Sequence, residues 1–289
     1  MFLQEDRMTT ALRMAQGEFG RLALLDMDTP LVSHAHSQCH VIFKASGADS
    51  AFYVSDERLP VTDRTAILVN AWEPHYFYSE PDFPRTVYLA LYIEPRWLAT
   101  LHDPLRLAAH PRFFPRSCVQ ITPRIRKLAD DLIGELMSPI PMKQERLESG
   151  LFDLMLALSE QFSAWESIQD LMQPEGLRLP DSRIQRALSH IGEHLGQPLD
   201  ADRLAASAHL SRAQFFVRFR RCTGMTPHVY VNTLRAETAC RRLAQADDRT
   251  SLGRLAEDLG FSDQGHFTRF IRGQVGVTPS EYRRVVQVY

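Results

Sequence analysis

Two stretches of this sequence repeat one another about fifty residues apart, and the repeat limits what the chain can fold into. The first runs Ser211-Arg212-Ala213-Gln214-Phe215-Phe216-Val217-Arg218-Phe219-Arg220-Arg221, followed by Gly224-Met225-Thr226-Pro227 and Tyr230. The second runs Ser262-Asp263-Gln264-Gly265-His266-Phe267-Thr268-Arg269-Phe270-Ile271-Arg272, followed by Gly276-Val277-Thr278-Pro279 and Tyr282. Leu204/Leu255, Ala205/Ala256, Ser211/Ser262, Phe215/Phe267, Arg220/Arg272, Gly224/Gly276, Pro227/Pro279 and Tyr230/Tyr282 coincide, with one gap between the Ser and the Phe. Such self-similarity marks a duplicated supersecondary unit.

Each copy reads as a short helix, a turn and a longer helix. Leu252, Leu255, Ala256 and Leu259 recur at helical spacing before Gly260 stops the helix, and Phe267, Ile271 and Val275 form the stripe of the next one. In the first copy Ser211 and Gln214 form a capping box, and Phe215, Phe219 and Cys222 supply the buried stripe. Two helices joined by a tight turn, the second bearing arginines on its open face, form a helix-turn-helix pattern. Thr226 caps and Pro227 opens a long helix to about Gln245 that joins the two units.

Residues 183–285 resemble the DNA-binding domain of the AraC/XylS family of bacterial transcription regulators. The resemblance rests on the duplication and on the closing Gly-Phe-Ser, Phe-Thr-Arg and Gly-Val-Thr-Pro-Ser-Glu-Tyr-Arg-Arg segments. Ile271 stands where an aromatic residue is usual, and Phe216 and Val217 stand where polar base-readers are common. The resemblance implies helix-turn-helix units at 201–222 and 252–275 that enter adjacent major grooves of double-stranded DNA. Arg212, Ala213, Phe216 and Val217 would then face bases from the first unit, with apolar contact to thymine methyls. Gln264, His266, Thr268 and Arg269 would face bases from the second, while Arg220 and Arg272 would reach phosphates, which position without specifying. It also implies RNA polymerase as a partner and a homodimer.

Charge supports a division of labour. Residues 181–289 carry 16 Arg, no Lys and 11 acidic residues, a net of +5, whereas residues 1–180 carry a net of −7. A basic C-terminal part beside an acidic N-terminal one suits phosphate binding confined to one domain. The four cysteines are scattered without a Cys-x-x-Cys, which argues against a disulfide framework and a thiolate zinc site. The N-terminus lacks a signal-peptide core and no apolar run approaches the length of a membrane span, so a cytoplasmic protein without membrane partners is expected.

Residues 17–93 read as short strands: Phe19–Leu25, Leu31–His36, His40–Lys44, Ala51–Val54, Ala66–Val69 and Thr86–Ile93, with turns at Ser46-Gly47, Glu73-Pro74 and Pro81–Pro84. Within them lie His34, His36 and His40, with His75 further on. Strand alternation puts His34 and His36 on one face. The spacing His-x-His, then His40 in an acid's slot, then six residues to Gly47, is similar to the first motif of cupin barrels, and His75 fits the second. Asp28 replaces the leading Gly of the first motif, and Asn70, Trp72 and Ser79 depart from the second. AraC/XylS proteins commonly carry such a barrel for effector binding and dimerisation.

Helical periodicity follows, from Ile125 to Leu136 and from about Met142 to Trp165; these helices pack on the barrel or dimerise the protein. The expected organisation is α+β: a cupin-like β-barrel over 1–121 with packed helices over 122–166, a linker over 167–182, and an all-α DNA-binding domain over 183–285 that folds on its own. The expected function is sequence-specific transcription regulation, as an activator and not an enzyme, under a small-molecule effector bound near His34, His36, His40, Trp72 and His75. No cofactor is required on this reading. The alternative uses His34, His36, His40 and His75 to hold a divalent transition metal, in a metal-sensing regulator or a metal-dependent cupin enzyme.

Overall fold

In the computed structural model, described over residues 9–78, 85–140, 142–164, 181–245 and 250–289, the strands gather in two sheets. They are β1 (Thr10–Gly17), β2 (Gly20–Met27), β3 (Leu31–His34), β4 (Cys39–Gly47), β5 (Ser50–Val54), β6 (Glu57–Val61), β7 (Thr65–Val69), β8 (His75–Phe77), β9 (Thr86–Ile93), β10 (Cys118–Gln120) and β11 (Val286–Val288). One sheet has the order β10-β7-β4-β9-β2-β1-β11 and the other β3-β8-β5-β6. The turn between β1 and β2 requires Gly20, at φ +109°, because a Cβ there would meet the Tyr92 carbonyl oxygen at 2.1 Å.

Strand β9 shows why its sequence is apolar throughout. Leu89, Leu91 and Ile93 point into one core, and Tyr88, Ala90 and Tyr92 into another. The first core is closed by α1 (Pro95–Leu101), a 3₁₀ segment (Asp103–Ala109), α2 (Pro123–Met137) and α3 (Gln144–Phe162), through Leu98, Leu105, Ile125, Leu132, Leu151 and Leu158. A strand covered on both faces loses the polar alternation of a half-exposed one.

The C-terminal half contains α4 (Ser182–Glu193), α5 (Ala201–Ser207), α6 (Arg212–Thr223), α7 (Pro227–Gln245), α8 (Leu252–Asp258), α9 (Gln264–Val275) and α10 (Pro279–Val285). The first helix-turn-helix, α5–α6, has its own core of Ile184, Ile191, Leu204, Phe215, Phe219 and Val231. The second, α8–α9, does not. Its Leu255, Phe267, Ile271 and Tyr282 belong to the same buried cluster as Met14, Leu25, Leu31 and Tyr92 of the sheets. The expected self-contained C-terminal domain therefore shares half its core with the barrel. Past α10 the chain adds β11 in parallel to β1, with Met14 opposite Val286.

The N-terminal sheets and the C-terminal helices agree with the α+β expectation. Strands β1, β6, β8, β10 and β11 were not legible in the sequence. Four were too short or too polar to show alternation; β1 (TALRMAQG) carries charge and a bulge between Ala11 and Arg13. The strand expected over Leu31–His36 ends at His34, so His36 reaches its place from the following loop. Cys222, expected in the buried stripe, is exposed, because the last turn of α6 runs past the core before Gly224 ends it. The turn at Pro81–Pro84 and most of the 167–182 linker lie outside the described residues.

Candidate nucleic-acid interface and ligand cavity

The two long helices of the repeat begin alike. Ser211 accepts from the Gln214 N–H and Gln214 answers in a capping box, while Asp263 accepts from the His266 N–H at 2.7 Å. That amide hydrogen bond, with the Ser262 hydroxyl, holds the Asp263 carboxyl below its ordinary range. The caps therefore pair Ser211 with Asp263, and Ser262 is the extra residue. Ahead of the caps, His209 at φ +53° stands where Gly260 stands at φ +80°, so both turns need one left-handed residue.

On α6, Arg212, Ala213 and Arg220 are exposed, Phe216 is half-buried beside Phe215, and Val217 is 71% exposed. On α9, Gln264, His266 and Arg269 are exposed, and Thr268 and Arg272 are half-buried. The opposite faces, Phe215 and Phe219 on α6 and Phe267, Ile271 and Val275 on α9, are buried. Between the two units, the 19 residues of α7 make a rod of about 28 Å. Two major-groove segments on one DNA face lie ~34 Å apart. The barrel touches the far end of α9, where Gly273 lies against Val32 and Gly276 against Leu31, so the N-terminal half of α9 stays open.

The four histidines converge in the barrel. Ring centroids are 4.4 Å apart for His34 and His75, 4.8 Å for His36 and His75, and 5.0 Å for His36 and His40. Backbone carbonyls set three tautomers: Nδ1 of His34 meets the Val32 oxygen at 2.8 Å, His36 that of Gln38 at 3.1 Å and His75 that of Glu73 at 2.9 Å. A carbonyl only accepts, so these Nδ1 atoms carry the proton and each Nε2 presents a lone pair. His40 Nδ1 then donates to His36 Nε2, 3.0 Å away. Burial holds all four rings neutral: it pushes His34 down to about 4 and the other three well below their ordinary value, reinforced by neighbouring ring charges and Arg21.

The buried Nε2 atoms of His40 and His75 have no partner among the described residues, and a cation would supply one. His34, His36 and His75 offer one nitrogen each within 4.8 Å of one another. That spread is wider than the ~3.3 Å edge of a tetrahedral zinc site, so the rings would have to draw inward. With His36 released from its hydrogen bond to His40, the three-nitrogen donor set, backed by carbonyls on the far ring atoms, fits a borderline divalent transition metal.

Trp72, expected beside the histidines, donates its backbone N–H to the His36 carbonyl at 2.7 Å, while its ring stacks on Tyr230 of α7, with centroids 4.9 Å apart and planes 21° apart. The barrel interior, lined by His34, His40, Phe52 and Tyr92 among others, leaves a space of only about 20 Å³, enough for a single water. A much larger cavity, about 480 Å³, lies where the barrel meets α7. His34 and His36 reach its wall, together with Arg21, Glu237 and Cys240, which sequence reasoning had not singled out. Their one signal in the sequence is that Thr233, Glu237 and Cys240 fall on a single face of α7, polar side chains where a core stripe is expected.

That face of α7 holds the histidine loop. The Thr233 hydroxyl donates to the Ala35 carbonyl at 2.6 Å, and both the N–H and the O–H of Ser37 donate to Glu237 Oε1, at 2.9 and 3.0 Å. Burial pushes the Glu237 carboxyl up, against the pull of those two donors.

Comparison with known proteins agrees with both halves. An AraC-like ligand-binding domain model matches residues 31–156, and a helix-turn-helix domain model matches residues 204–285. The chain is 34% identical over 99 residues to the MmsAB operon regulatory protein of Pseudomonas aeruginosa, covering 34% of this chain and 32% of that one. It is 29% identical over 110 residues to the HTH-type transcriptional activator RhaS of Escherichia fergusonii, covering 38% and 39%. These alignments thus span between 32% and 39% of the curated relatives' length. Among solved structures, ToxT of Vibrio cholerae superposes with a TM-score of 0.54 over 98% of both chains at 10% identity, a likeness of fold. With the two domain models in their expected order over one α+β fold, this chain combines an AraC-like ligand-binding domain with a helix-turn-helix domain, the arrangement that its resemblance to AraC/XylS regulators implies.

Proposed function

We propose that the protein is a sequence-specific DNA-binding transcription regulator, acting as an activator, whose DNA affinity is set by a small-molecule effector. The observation that carries this is the pair of exposed, arginine-bearing helices α6 and α9 on the two ends of α7. In this reading Arg212, Ala213, Phe216 and Val217 meet bases through α6, and Gln264, His266, Thr268 and Arg269 through α9. Arg220 and Arg272 contact phosphates. The exposed Val217 has the shape for a thymine methyl, which is apolar.

Effector control would pass through α7. The loop carrying His34 and His36 is hydrogen-bonded to α7 by Thr233 and Glu237, so anything that shifts the loop shifts the rod between the recognition helices. Dimerisation through α2 and α3, recruitment of RNA polymerase and a cytoplasmic location complete the proposal. No helix among the described residues is long and apolar enough to cross a membrane. A second reading is favoured by the converging Nε2 lone pairs: His34, His36 and His75 would hold a divalent transition metal, with His40 behind them. Bound there, the metal would act as a Lewis-acidic anchor for a ligand donor atom.

Mobility shift on fragments of a regulated promoter against random DNA of the same length tests the main reading, with and without chelator. Preference for the promoter is expected; equal binding to both would overturn it.

A further inference from the structure

The cavity at the barrel–α7 junction is lined by two half-buried charges with no ion pair between them. Arg21, on β2, is half-buried with its Nε atom enclosed, and no carboxylate among the described residues lies within ion-pair distance of it. Its guanidinium lies 3.9 Å over the Tyr92 ring, its Nη1 meets the Cys240 thiol at 3.1 Å, and its Nε has no partner. Glu237, on α7, spends Oε1 on Ser37 and has no cation within ion-pair distance among the described residues, although burial pushes its carboxyl up and the charge of Arg21 pulls it down. Charges drawn even partly out of water in folded proteins are ordinarily paired, because desolvating an ion is costly. Here Arg21 of β2 and Glu237 of α7 line a single cavity of about 480 Å³, a volume in the range of small-molecule sites, with half-buried Glu94 and exposed Glu18, Arg96 and Arg241 also on its wall. Much of the remaining wall is apolar, with Ala35, Tyr92, Trp97, Ala236 and Val275.

We propose that this cavity binds a small zwitterion, an apolar α-amino acid or a close analogue, with its carboxylate on Arg21 and its ammonium on Glu237. A guanidinium accepts a carboxylate in two parallel hydrogen bonds, and a carboxylate with one oxygen still uncommitted accepts an ammonium. The side chain of the ligand fills the apolar wall. Because Arg21 belongs to the barrel and Glu237 to the rod between the recognition helices, the ligand ties one to the other. This assignment rests on the effector-controlled reading above and names its ligand class.

The test is direct binding to the full chain, by calorimetry and thermal shift, with two sets of probes. One set is L-leucine, 4-methylpentanoate and 3-methylbutylamine; the other is L-phenylalanine, 3-phenylpropionate and 2-phenylethylamine. An amino acid from one set should saturate one site per chain and bind at least about tenfold more tightly than its deaminated or decarboxylated analogue. Glu237→Gln, which keeps the shape of the side chain, should bring the amino acid and its deaminated analogue to within about threefold of each other. Arg21→Gln should weaken the amino acid about tenfold or more; if that variant does not fold, the Glu237→Gln comparison decides. Binding of the deaminated analogue to the parent as tightly as the amino acid would overturn the proposal. So would the absence of saturable binding in both sets, which would leave a hydrated Arg21–Glu237 pair only. Mobility shift on the same preparations reports separately: loss of promoter preference with ligand binding intact counts against the regulator reading and leaves this site standing.

Discussion

The Thr233 hydroxyl donates to the carbonyl of Ala35 across 2.6 Å, and this bond joins the residue between two cavity histidines to the helix between two recognition helices. Both partners are buried, so neither can exchange the other for water. Thr233→Val keeps the volume and removes the donor, leaving the carbonyl unpaired. A loss of about 1–3 kcal/mol is expected in denaturant unfolding. Operator affinity without effector should be retained, and the change of affinity on adding effector should shrink.

Arg269 is exposed on α9, one turn from its capped start. Arg269→Ala should cost about 1–3 kcal/mol of operator binding and relax preference at one base pair. Arg220→Ala, on α6, should weaken all sequences evenly and reduce the slope of affinity against salt. Titrations at several salt concentrations separate the two; parental behaviour in both variants would remove α6 and α9 from the interface.

The histidine cluster makes metal-free protein acid-labile. Unfolded histidines titrate near 6.5, whereas folded His34 titrates at about 4 and His36, His40 and His75 are also held well below the unfolded value. Between these values the unfolded chain binds more protons, so stability falls as pH drops below about 6.5, and falls further towards 4. His34 alone contributes on the order of 3 kcal/mol by this route. Unfolding free energies at pH 7.5 and 5.5 should show the loss, with a shallower slope in His34→Gln.

If the cluster holds a metal, Zn²⁺ should raise the melting temperature of the parent with concentration. His75→Ala should abolish that rise while leaving promoter binding in place. Metal affinity should also fall with acid, since each ligand must be neutral. A parent indifferent to Zn²⁺ would return the cluster to hydrogen bonding alone.

How far the sequence reached follows from which features are local. Caps, turns and apolar stripes of the repeat are settled within a few residues, so α5, α6, α8 and α9 could be placed from spacing, and even the gap in the repeat resolves at Ser262. His34, His36, His40 and His75 were found by their spacing, although His36 arrives from a loop and not by strand alternation. Arg21 and Glu237 were not found: Arg21 is not unusual on its own strand, and the polar face of α7 that carries Glu237 does not say what it meets. Their meaning comes only from docking β2 against α7, a contact between residues more than two hundred positions apart. The same holds for Trp72, whose partner Tyr230 lies on another element altogether.

Strand β11 has a consequence for synthesis. The Ala11 N–H donates to Glu281, 270 residues further along the chain, and the Tyr282 phenol donates to Gln16 at 2.5 Å just before β11 pairs with β1. A ribosome therefore makes β1 long before its outer neighbour, and in the interval β1 is an unprotected edge able to pair with other chains. A product broken off before residue 286 would keep both recognition helices and still expose that edge, marking it for aggregation or degradation. Completing the barrel thus reports that the DNA-binding helices have been made.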